Sequence, residues 1–388
     1  MALPMVINNI AIVLFSIYGL IHFKKSKVKL DFQSLFFPIL FTLSLISLIY
    51  ASDLLKGLKA LEKTLVFILL YLTLTPVSVA KNEVLKVLRV FAYVNVVLIL
   101  ICLATAAYKV LENGTFIIYN PENFVNENYF LYHRFSAPIE FHAVYLGIYS
   151  VFSTCILIFD LKNKGNKIWS YLMLIVLLSG IILLNSFSVI VSCFIILCFY
   201  FVHFKQIKFN KWARLFIVIL LVIIVGLFYY KAKGIDENVF RYNLEDNVHN
   251  PNWNSLNIRL AKWECALEVF KNNMFLGVGV GNGQTELNNI YSIKNFELGI
   301  SNKFSTHNQY LHYLIELGLI GTLVFIFGVL VNLFKSVKES NFLLFALVVL
   351  LSVCSITENV LTLNKGIVFF VTFYYLVLQL NRSPKSLN

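Results

Sequence analysis

Charged residues are scarce in this chain, and that scarcity excludes most soluble folds. Asp, Glu, Lys and Arg make up only 13% of the 388 residues, whereas ordinary soluble domains carry about 25%. Hydrophobic residues reach 59%. Because an aqueous fold of this length cannot bury so much apolar surface, the composition predicts an all-α, polytopic membrane helix bundle that forms a single domain over 1–388.

Metal-binding spacings and paired cysteines are also lacking. No His-Glu-x-x-His motif occurs, and the acidic residues outside the apolar runs are scattered. Five of the six cysteines fall inside apolar runs, so no disulfide framework is predicted. The net charge of +12 comes mostly from short basic runs between apolar segments, which are typical topology signals. We therefore predict no metal, no cofactor and no nucleic-acid partner, and membrane lipid as the surroundings.

Long apolar runs are what the chain does have. About 20 apolar residues cross the hydrocarbon core of a membrane, and this length divides the sequence into about eleven spans, with a range of 10–12. The last two are short enough to form one re-entrant hairpin. The spans fall near 4–23, 34–51, 64–80, 88–109, 138–159, 168–184, 188–204, 214–230, 308–334, 341–356 and 366–380.

The basic residues predict which side of the membrane each connection faces. One alternating set of connections holds 18 of the 32 Lys and Arg, and by the positive-inside rule it is cytoplasmic. The N-terminus is then outside, the C-terminus is cytoplasmic, and the long loops 110–137 and 231–306 are external. The cytoplasmic set comprises 24–29, 81–89, 161–167, 205–214, 335–340 and 381–388.

The external loop 231–306 is long enough to be partly helical. Apolar residues at spacings of three and four predict a helix from Asn257 to about Lys271, with Leu260, Trp263, Leu267 and Phe270 as its apolar stripe. Arg259 and Lys262 share another face, which suits an anionic headgroup or diphosphate as well as it suits plain solvent. The glycine run 277–283 lacks the Lys-Ser/Thr of a P-loop, so we expect a tight loop with close backbone packing.

The start of the ninth span carries a second candidate group. Ser305 or Thr306 suits an N-cap, which would put His307 in the first helical turn beside free N–H groups that bind phosphate. A solvated interfacial histidine is the alternative. Glu316 lies nine residues on, about 13 Å deeper and on the opposite side of the helix, so one ligand could not easily touch both. Glu316 is either a contact between helices or a functional carboxylate.

Two further features complete the set of candidates. Gly318 and Gly321 follow Glu316 and would allow close contact between helices. Arg134 ends the 110–137 loop beside His133, and Glu140 and His142 follow closely. Four ionisable groups at one interface indicate either a binding site or a structural ion pair that involves Arg134.

These segments together resemble the O-antigen ligase and O-antigen polymerase family. The resemblance is most specific at His307-Asn-Gln-Tyr-Leu311 and the following Glu316-Leu-Gly318-Leu-Ile-Gly321. It extends back through Arg259-x-x-x-Trp263 and the glycine run to Arg134-Phe-Ser-Ala-Pro, and it covers about 130–340.

The resemblance implies a metal-independent glycosyltransferase of the bacterial inner membrane with its active site on the external face. Such enzymes take a glycan from an undecaprenyl diphosphate carrier and pass it to lipid A–core or to another carrier-linked glycan, by an inverting transfer. It implies that His307 is the catalytic base or orients the acceptor, and that Arg259, with Arg134 or Lys262, holds the diphosphate. Glu316, Gly318 and Gly321 would support the site.

The chain departs from the family pattern at one position that matters. Many members carry an arginine after the span that ends here near Leu184, where this chain has Asn185-Ser186-Phe187-Ser188. Arg134 is one candidate to replace it. A polysaccharide transporter or lipid-linked oligosaccharide flippase is the alternative function, although it would place charges deep in several spans.

Overall fold

The computed structural model describes residues 14–17, 19, 21, 31–77, 79–120, 125–161, 168–204, 242–248 and 253–382. The predicted spans 4–23 and 214–230 lie mostly or wholly outside this part of the chain, as does much of the loop between 231 and 252. The helices are α1 Phe32–Ser47, α2 Leu54–Thr64, α3 Val66–Leu74, α4 Lys81–Asn113, α5 Tyr132–Ser136, α6 Ala143–Asp160, α7 Ile168–Leu183, α8 Phe187–Phe199, α9 Ser255–Asn272, α10 Gly283–Ile293, α11 Glu297–Asn302, α12 Gln309–Lys338, α13 Phe342–Cys354 and α14 Asn364–Arg382.

Helices dominate, as the composition predicts, with one small exception. Strands β1 Ile117–Asn120 and β2 Val125–Asn128 form an antiparallel hairpin in which Ile117 pairs with Asn128. This hairpin lies in the predicted external loop 110–137. An α-helical membrane protein is therefore confirmed, with a two-stranded addition outside the bundle.

The prediction of about eleven spans is not supported. Five helices in the described ranges are long and apolar enough to cross a membrane: Phe32–Tyr50, Lys81–Asn113, Ala143–Asp160, Phe187–Phe204 and Gln309–Lys338. Three more, Ile168–Leu183, Phe342–Cys354 and Asn364–Leu380, are apolar but shorter. The predicted span at 64–80 contains α3, Val66–Leu74, which follows α2 after a single residue. The described helices therefore support a multi-pass membrane protein without supporting the number eleven.

The bundle is built around helices that are buried on nearly all sides. Every residue from Phe342 to Leu351 of α13 is buried, and almost all of α6 is buried as well. Helix α13 packs against α8 and α12, while α6 packs against α4 and α7. An ion pair also joins α4 to α6: Arg89 Nη2 and Nε donate to the carboxylate oxygens of Asp160 at 2.6 and 3.0 Å.

Helix α12 is broken at Gly318, and the glycine run fills the break. Gly318 has φ 63° and ψ −162°, which is not helical. The N–H groups of Val278 and Gly279 donate to the carbonyls of Ile315 and Glu316 at 2.9 and 3.0 Å. On the far side of the break, the N–H of Leu319 donates to the carbonyl of Met274 at 2.8 Å. Backbone groups that would be orphaned inside a membrane are thereby satisfied.

The glycines of the run are required by close backbone packing, as predicted. A Cβ on Gly277 would lie 2.5 Å from the carbonyl oxygen of Ile315, and one on Gly281 would lie 2.5 Å from that of Lys56. Both residues have φ between 70° and 80°, which glycine adopts at little cost. The glycine run therefore packs between α2 and the break in α12, and it holds these two helices close together.

We expect Gly318→Ala to prevent stable folding of this region. The added Cβ would lie 2.3 Å from the carbonyl oxygen of Phe275, in a conformation that only glycine adopts readily. The cost should exceed about 2 kcal/mol, visible as a lower thermal midpoint of the detergent-solubilised protein. Gly114→Ala is the matched control, because Gly114 also has a positive φ but nothing lies within 4 Å of its Cβ position. Equal midpoints for the two variants would contradict the steric argument.

Candidate functional site

His307 lies in the short segment between α11 and α12, not in the first turn of a helix. Helix α12 begins at Gln309, its N-cap is Asn308, and His307 has a left-handed φ of 44°. The prediction that Ser305 or Thr306 caps the helix is wrong. Asn308 caps the helix because its side-chain oxygen accepts a hydrogen bond from the N–H of Leu311 at 3.0 Å. The hydroxyl of Thr306 instead donates to Asn359.

Two of the predicted phosphate-binding N–H groups at this helix end already have partners within the protein. The N–H of Gln309 donates to the carbonyl of Ser355 at 2.8 Å, and that of Leu311 is used by the cap. An incoming diphosphate would have to displace these bonds. The helix end therefore positions His307 but offers little binding of its own.

A buried carboxylate faces the imidazole of His307. Glu358 Oε2 lies 3.3 Å from His307 Nδ1. The Glu358 side chain is 8% exposed and that of His307 is 37% exposed, so the carboxylate is buried while the imidazole is accessible. A carboxylate at Nδ1 orients the ring. Nε2 is thereby left as the nitrogen that can reach a ligand.

The segments that carry His307 and Glu358 are tied together by hydrogen bonds. Asn359 Oδ1 accepts the N–H of Asn308 at 2.7 Å and the hydroxyl of Thr306 at 3.0 Å. Gln309 Oε1 accepts the N–H of Leu361 at 2.8 Å. These bonds are buried, and they hold the pair in a fixed geometry before any ligand binds.

Glu358 is not among the residues predicted from the sequence. It lies in Thr357-Glu358-Asn359 between α13 and α14, two strongly apolar helices. An isolated acidic residue between apolar helices is a functional candidate by default, and this signal was available. The turn that lacks the family arginine is close by, because Thr357 donates its hydroxyl to Ser188 Oγ at 2.8 Å.

Helix α9 brings two cations to this pair. Its bounds match the predicted helix closely, but the predicted apolar stripe is wrong: Leu267 is 43% exposed, and the buried face carries Ala261, Cys265 and Val269. Small residues are buried because α9 packs closely against α12. Trp263 Nε1 donates to the carbonyl of Thr306 at 3.0 Å, which fixes α9 to the His307 segment.

Lys262 is a buried lysine with a lowered pKa, and it does not lie on a solvated face of α9. Only 4% of it is exposed, and its Nζ lies 4.8 Å from the centre of the Phe304 ring. Burial, reinforced by repulsion from Arg259, lowers the pKa of Lys262 to about 8, while attraction to Glu358 opposes the shift. The Lys262 amine therefore lies within electrostatic reach of both residues.

Arg259 is more accessible than Lys262. Its side chain is partly exposed, and Nη1 donates to Ser255 Oγ at 3.3 Å. Burial and the charge of Glu358 raise the pKa of Tyr132, while Arg259 lowers it. Tyr132 is thus a further neighbour of the site, and sequence analysis did not name it.

The ionisable cluster at 133–142 divides into two parts. The rings of His133 and His142 have centroids 4.5 Å apart. Burial is the main cause that lowers the pKa of His142 to about 4, so this imidazole is neutral near neutral pH. Arg134 instead forms an ion pair with Glu127 of the hairpin. Of the alternatives for Arg134, the structure shows the ion pair, and Arg134 does not line the cavity described next.

A cavity of about 240 Å³ adjoins His307. Glu316 lines it together with His307 and Glu358, so His307 and Glu316 face one cavity rather than opposite sides of the helix. The helical-wheel argument failed because His307 precedes the helix. Glu316 Oε1 accepts the N–H of Gly281 at 3.1 Å, and its Oε2 lies 3.3 Å from His312 Nε2. Glu316 therefore also holds the glycine run in place.

Several apolar helices long enough to span a membrane define a multi-pass α-helical membrane protein, and the polar site described above lies beside them. Residues 172–326 match the family model described as O-antigen ligase. The resemblance to that family is confirmed over this part of the chain. The match covers less than half of the chain; it includes Arg259 and His307 but ends before Glu358. No curated protein matches the chain.

The family match supports a membrane enzyme of the O-antigen ligase or polymerase type. Within the part of the chain that is described, no three His, Cys, Asp or Glu side chains are grouped to hold a metal ion. Metal independence and the absence of a cofactor stay predictions.

Proposed function

We propose that the chain is a glycosyltransferase that moves a glycan from an undecaprenyl diphosphate carrier to a sugar hydroxyl on the external face of the bacterial inner membrane. The observation that carries the proposal is the His307–Glu358 pair, with Lys262 of α9 in electrostatic reach of Glu358 and Arg259 in reach of Lys262. A base and an anion-binding group side by side are what transfer from a diphosphate leaving group requires.

In the proposed reaction, the acceptor hydroxyl oxygen attacks the anomeric carbon of the carrier-linked glycan. The new glycosidic bond forms as the bond from that carbon to the diphosphate oxygen breaks. The hydroxyl proton passes to His307 Nε2, and Glu358 stabilises the imidazolium through Nδ1. The electron pair of the broken bond leaves with undecaprenyl diphosphate. Inversion at the anomeric carbon is the family expectation.

Arg259 and Lys262 are proposed to hold the leaving diphosphate. Arg259 is accessible and offers a planar fork that suits two phosphate oxygens. Lys262 supplies a compact charge from a buried position, where electrostatic interactions are stronger than in water. Arg134 has no comparable support as a phosphate ligand because it is paired with Glu127. Glu316, Gly318 and Gly321 act as supports of the site.

The acceptor is lipid A–core in a ligase and another carrier-linked glycan in a polymerase. Glycan profiles of a strain that lacks the protein separate these two functions. Single repeats still attached to the core indicate a polymerase, and loss of all attached glycan indicates a ligase. The proposed orientation, with the N-terminus outside and the C-terminus in the cytoplasm, follows from the basic connections.

A reconstituted system separates transfer from transport. Purified protein in liposomes, given undecaprenyl-diphosphate-linked glycan and an acceptor glycan, should release undecaprenyl diphosphate and lengthen the acceptor. A flippase would instead move the lipid-linked glycan between leaflets and leave the glycosidic bond intact. Movement without release of undecaprenyl diphosphate would contradict the proposal.

Activity should fall as the pH rises through about 8. An amine carries its charge only below its pKa, so Lys262, whose pKa is lowered to about 8, loses its charge in that window. Loss of one charged phosphate contact should lower kcat/KM for the donor by about tenfold or more. Lys262→Arg should flatten this part of the profile, because arginine stays charged. An unchanged profile in Lys262→Arg would contradict the assignment.

A further inference from the structure

The cavity beside His307 has walls of a different charge from the α9 face. Two buried carboxylates, Glu316 and Glu358, line it, and the one lysine among its lining residues is Lys63, which is exposed. Neither Arg259 nor Lys262 is part of the wall. A diphosphate placed here would meet two carboxylates of like charge in the wall, which is unfavourable.

The residues that line the cavity can form hydrogen bonds with the hydroxyl groups of a ligand. Hydroxyls donate and accept hydrogen bonds, so they fit carboxylates, amides and imidazoles. Asn359 uses its side-chain oxygen for the segment around Asn308, so its amide NH₂ is the end that can reach a ligand. His312 Nε2 lies against Glu316, and Thr362 donates its hydroxyl to the carbonyl of Asn359 at 2.9 Å.

These polar groups are fixed before a ligand arrives. Glu316 is 6% exposed and is held by the N–H of Gly281. Asn359 is 8% exposed and is held by two hydrogen bonds. A volume of about 240 Å³ lies below the roughly 300–1,000 Å³ typical of drug-sized ligands. The cavity therefore suits one sugar ring rather than an oligosaccharide.

We infer that this cavity is the subsite for the acceptor, and that it takes one electrically neutral sugar ring and presents its hydroxyl to His307. The inference rests on the proposed function and deepens it. The donor diphosphate and the acceptor then lie on two chemically different sides of the His307–Glu358 pair. His312 and Glu316 become residues that determine which acceptor is used.

The test measures two kinds of binding on the full chain in lipid nanodiscs. The acceptor probes are methyl glycosides of glucose, galactose and N-acetylglucosamine, followed by saturation-transfer NMR, with methyl glucuronide as the anionic counterpart. The donor probe is undecaprenyl diphosphate, followed by thermal stabilisation. At least one neutral glycoside should bind with a dissociation constant of about 1–10 mM, and the glucuronide should bind at least about tenfold more weakly.

Variants assign each probe to its side of the site. His312→Leu removes a polar group from the cavity wall. Leu363→Trp narrows the cavity from an exposed position, so this variant replaces His312→Leu in the test if His312→Leu does not fold. Both should weaken the neutral glycoside by about tenfold or more and leave undecaprenyl diphosphate binding intact. Arg259→Gln should show the reverse pattern. Lys271→Ala, an exposed residue of the same helix, should change neither.

Two results would overturn the inference: no neutral glycoside binds to the wild type, or glycoside binding survives both cavity variants. Failure of the proposed function has a different signature. In that case undecaprenyl diphosphate fails to bind the wild type, or binds with no dependence on Arg259.

Discussion

His307→Ala is expected to lower the rate of glycan transfer by about 10²- to 10⁴-fold, the range in which a positioned general base contributes. The imidazole is the accessible half of a pair whose other half, Glu358, is buried. Alanine removes the proton acceptor and leaves the carboxylate without its partner. The measurement is a single-turnover assay with purified protein and saturating donor.

Two further variants accompany this measurement, one as a control away from the site and one as a test of the carboxylate charge. His203→Ala removes a histidine whose ring contacts Phe199 and Phe204 just after α8, and this variant should transfer glycan at the normal rate. Glu358→Gln keeps a hydrogen-bonding group opposite Nδ1 but removes its charge, so its loss should be smaller than that of His307→Ala. Normal turnover by His307→Ala would remove His307 from the mechanism.

Arg259→Ala should raise the donor KM by about 10- to 100-fold, because hydrogen bonds to charged groups contribute roughly 1.5–3 kcal/mol each. Arg259→Lys should recover only part of this loss, since an ammonium group cannot bind two phosphate oxygens with a planar fork. The acceptor KM should stay the same for both variants. Steady-state kinetics with donor and acceptor varied separately give these values.

Lys271→Ala is the matched control for Arg259. Lys271 lies on the same helix, and its exposed side chain pairs with Glu268 one turn away. Its removal should leave both KM values unchanged. If Arg259→Ala raised the acceptor KM instead of the donor KM, the arginine would belong to the other side of the site.

Several features could be predicted from sequence because they depend on local pattern. Scarce charge and long apolar runs give the membrane class. The helix that carries Arg259 and Lys262 was placed within two residues at its start and one at its end. The glycine run was assigned to close backbone packing, which Gly277 and Gly281 confirm. The motif around His307 gave the family, which the match at 172–326 confirms.

The remaining features depend on tertiary contacts, which no local pattern contains. Glu358 lies 51 residues after His307 in sequence, and the two meet only because α13 returns the chain to the start of α12. Lys262 is buried because α9 packs on Phe304 and α12, although its spacing looks like a solvated face. The break at Gly318 is stabilised by Met274 and Val278, so a continuous helix was the natural expectation.

The predicted number of spans is not supported within the described part of the chain for a related reason. Helix α13 is as apolar as a spanning helix, but it has 13 residues, all but two of them buried. Helix α3 has nine residues and is mostly buried as well. An apolar helix has the same composition whether lipid or other helices surround it. The length of the helix in the folded chain is therefore the better guide to whether it crosses the membrane.

The account requires the His307–Glu358 pair to open on the external face, where the donor is presented, and thiol labelling in intact cells tests this most directly. Leu363→Cys places a thiol at the rim of the cavity, and Lys338→Cys places one at the predicted cytoplasmic end of α12. Five native cysteines are buried and Cys198 is partly buried, so background labelling should be low. A membrane-impermeant maleimide should label Leu363→Cys in intact cells and Lys338→Cys only after permeabilisation. The opposite pattern would put the site in the cytoplasm and contradict the account.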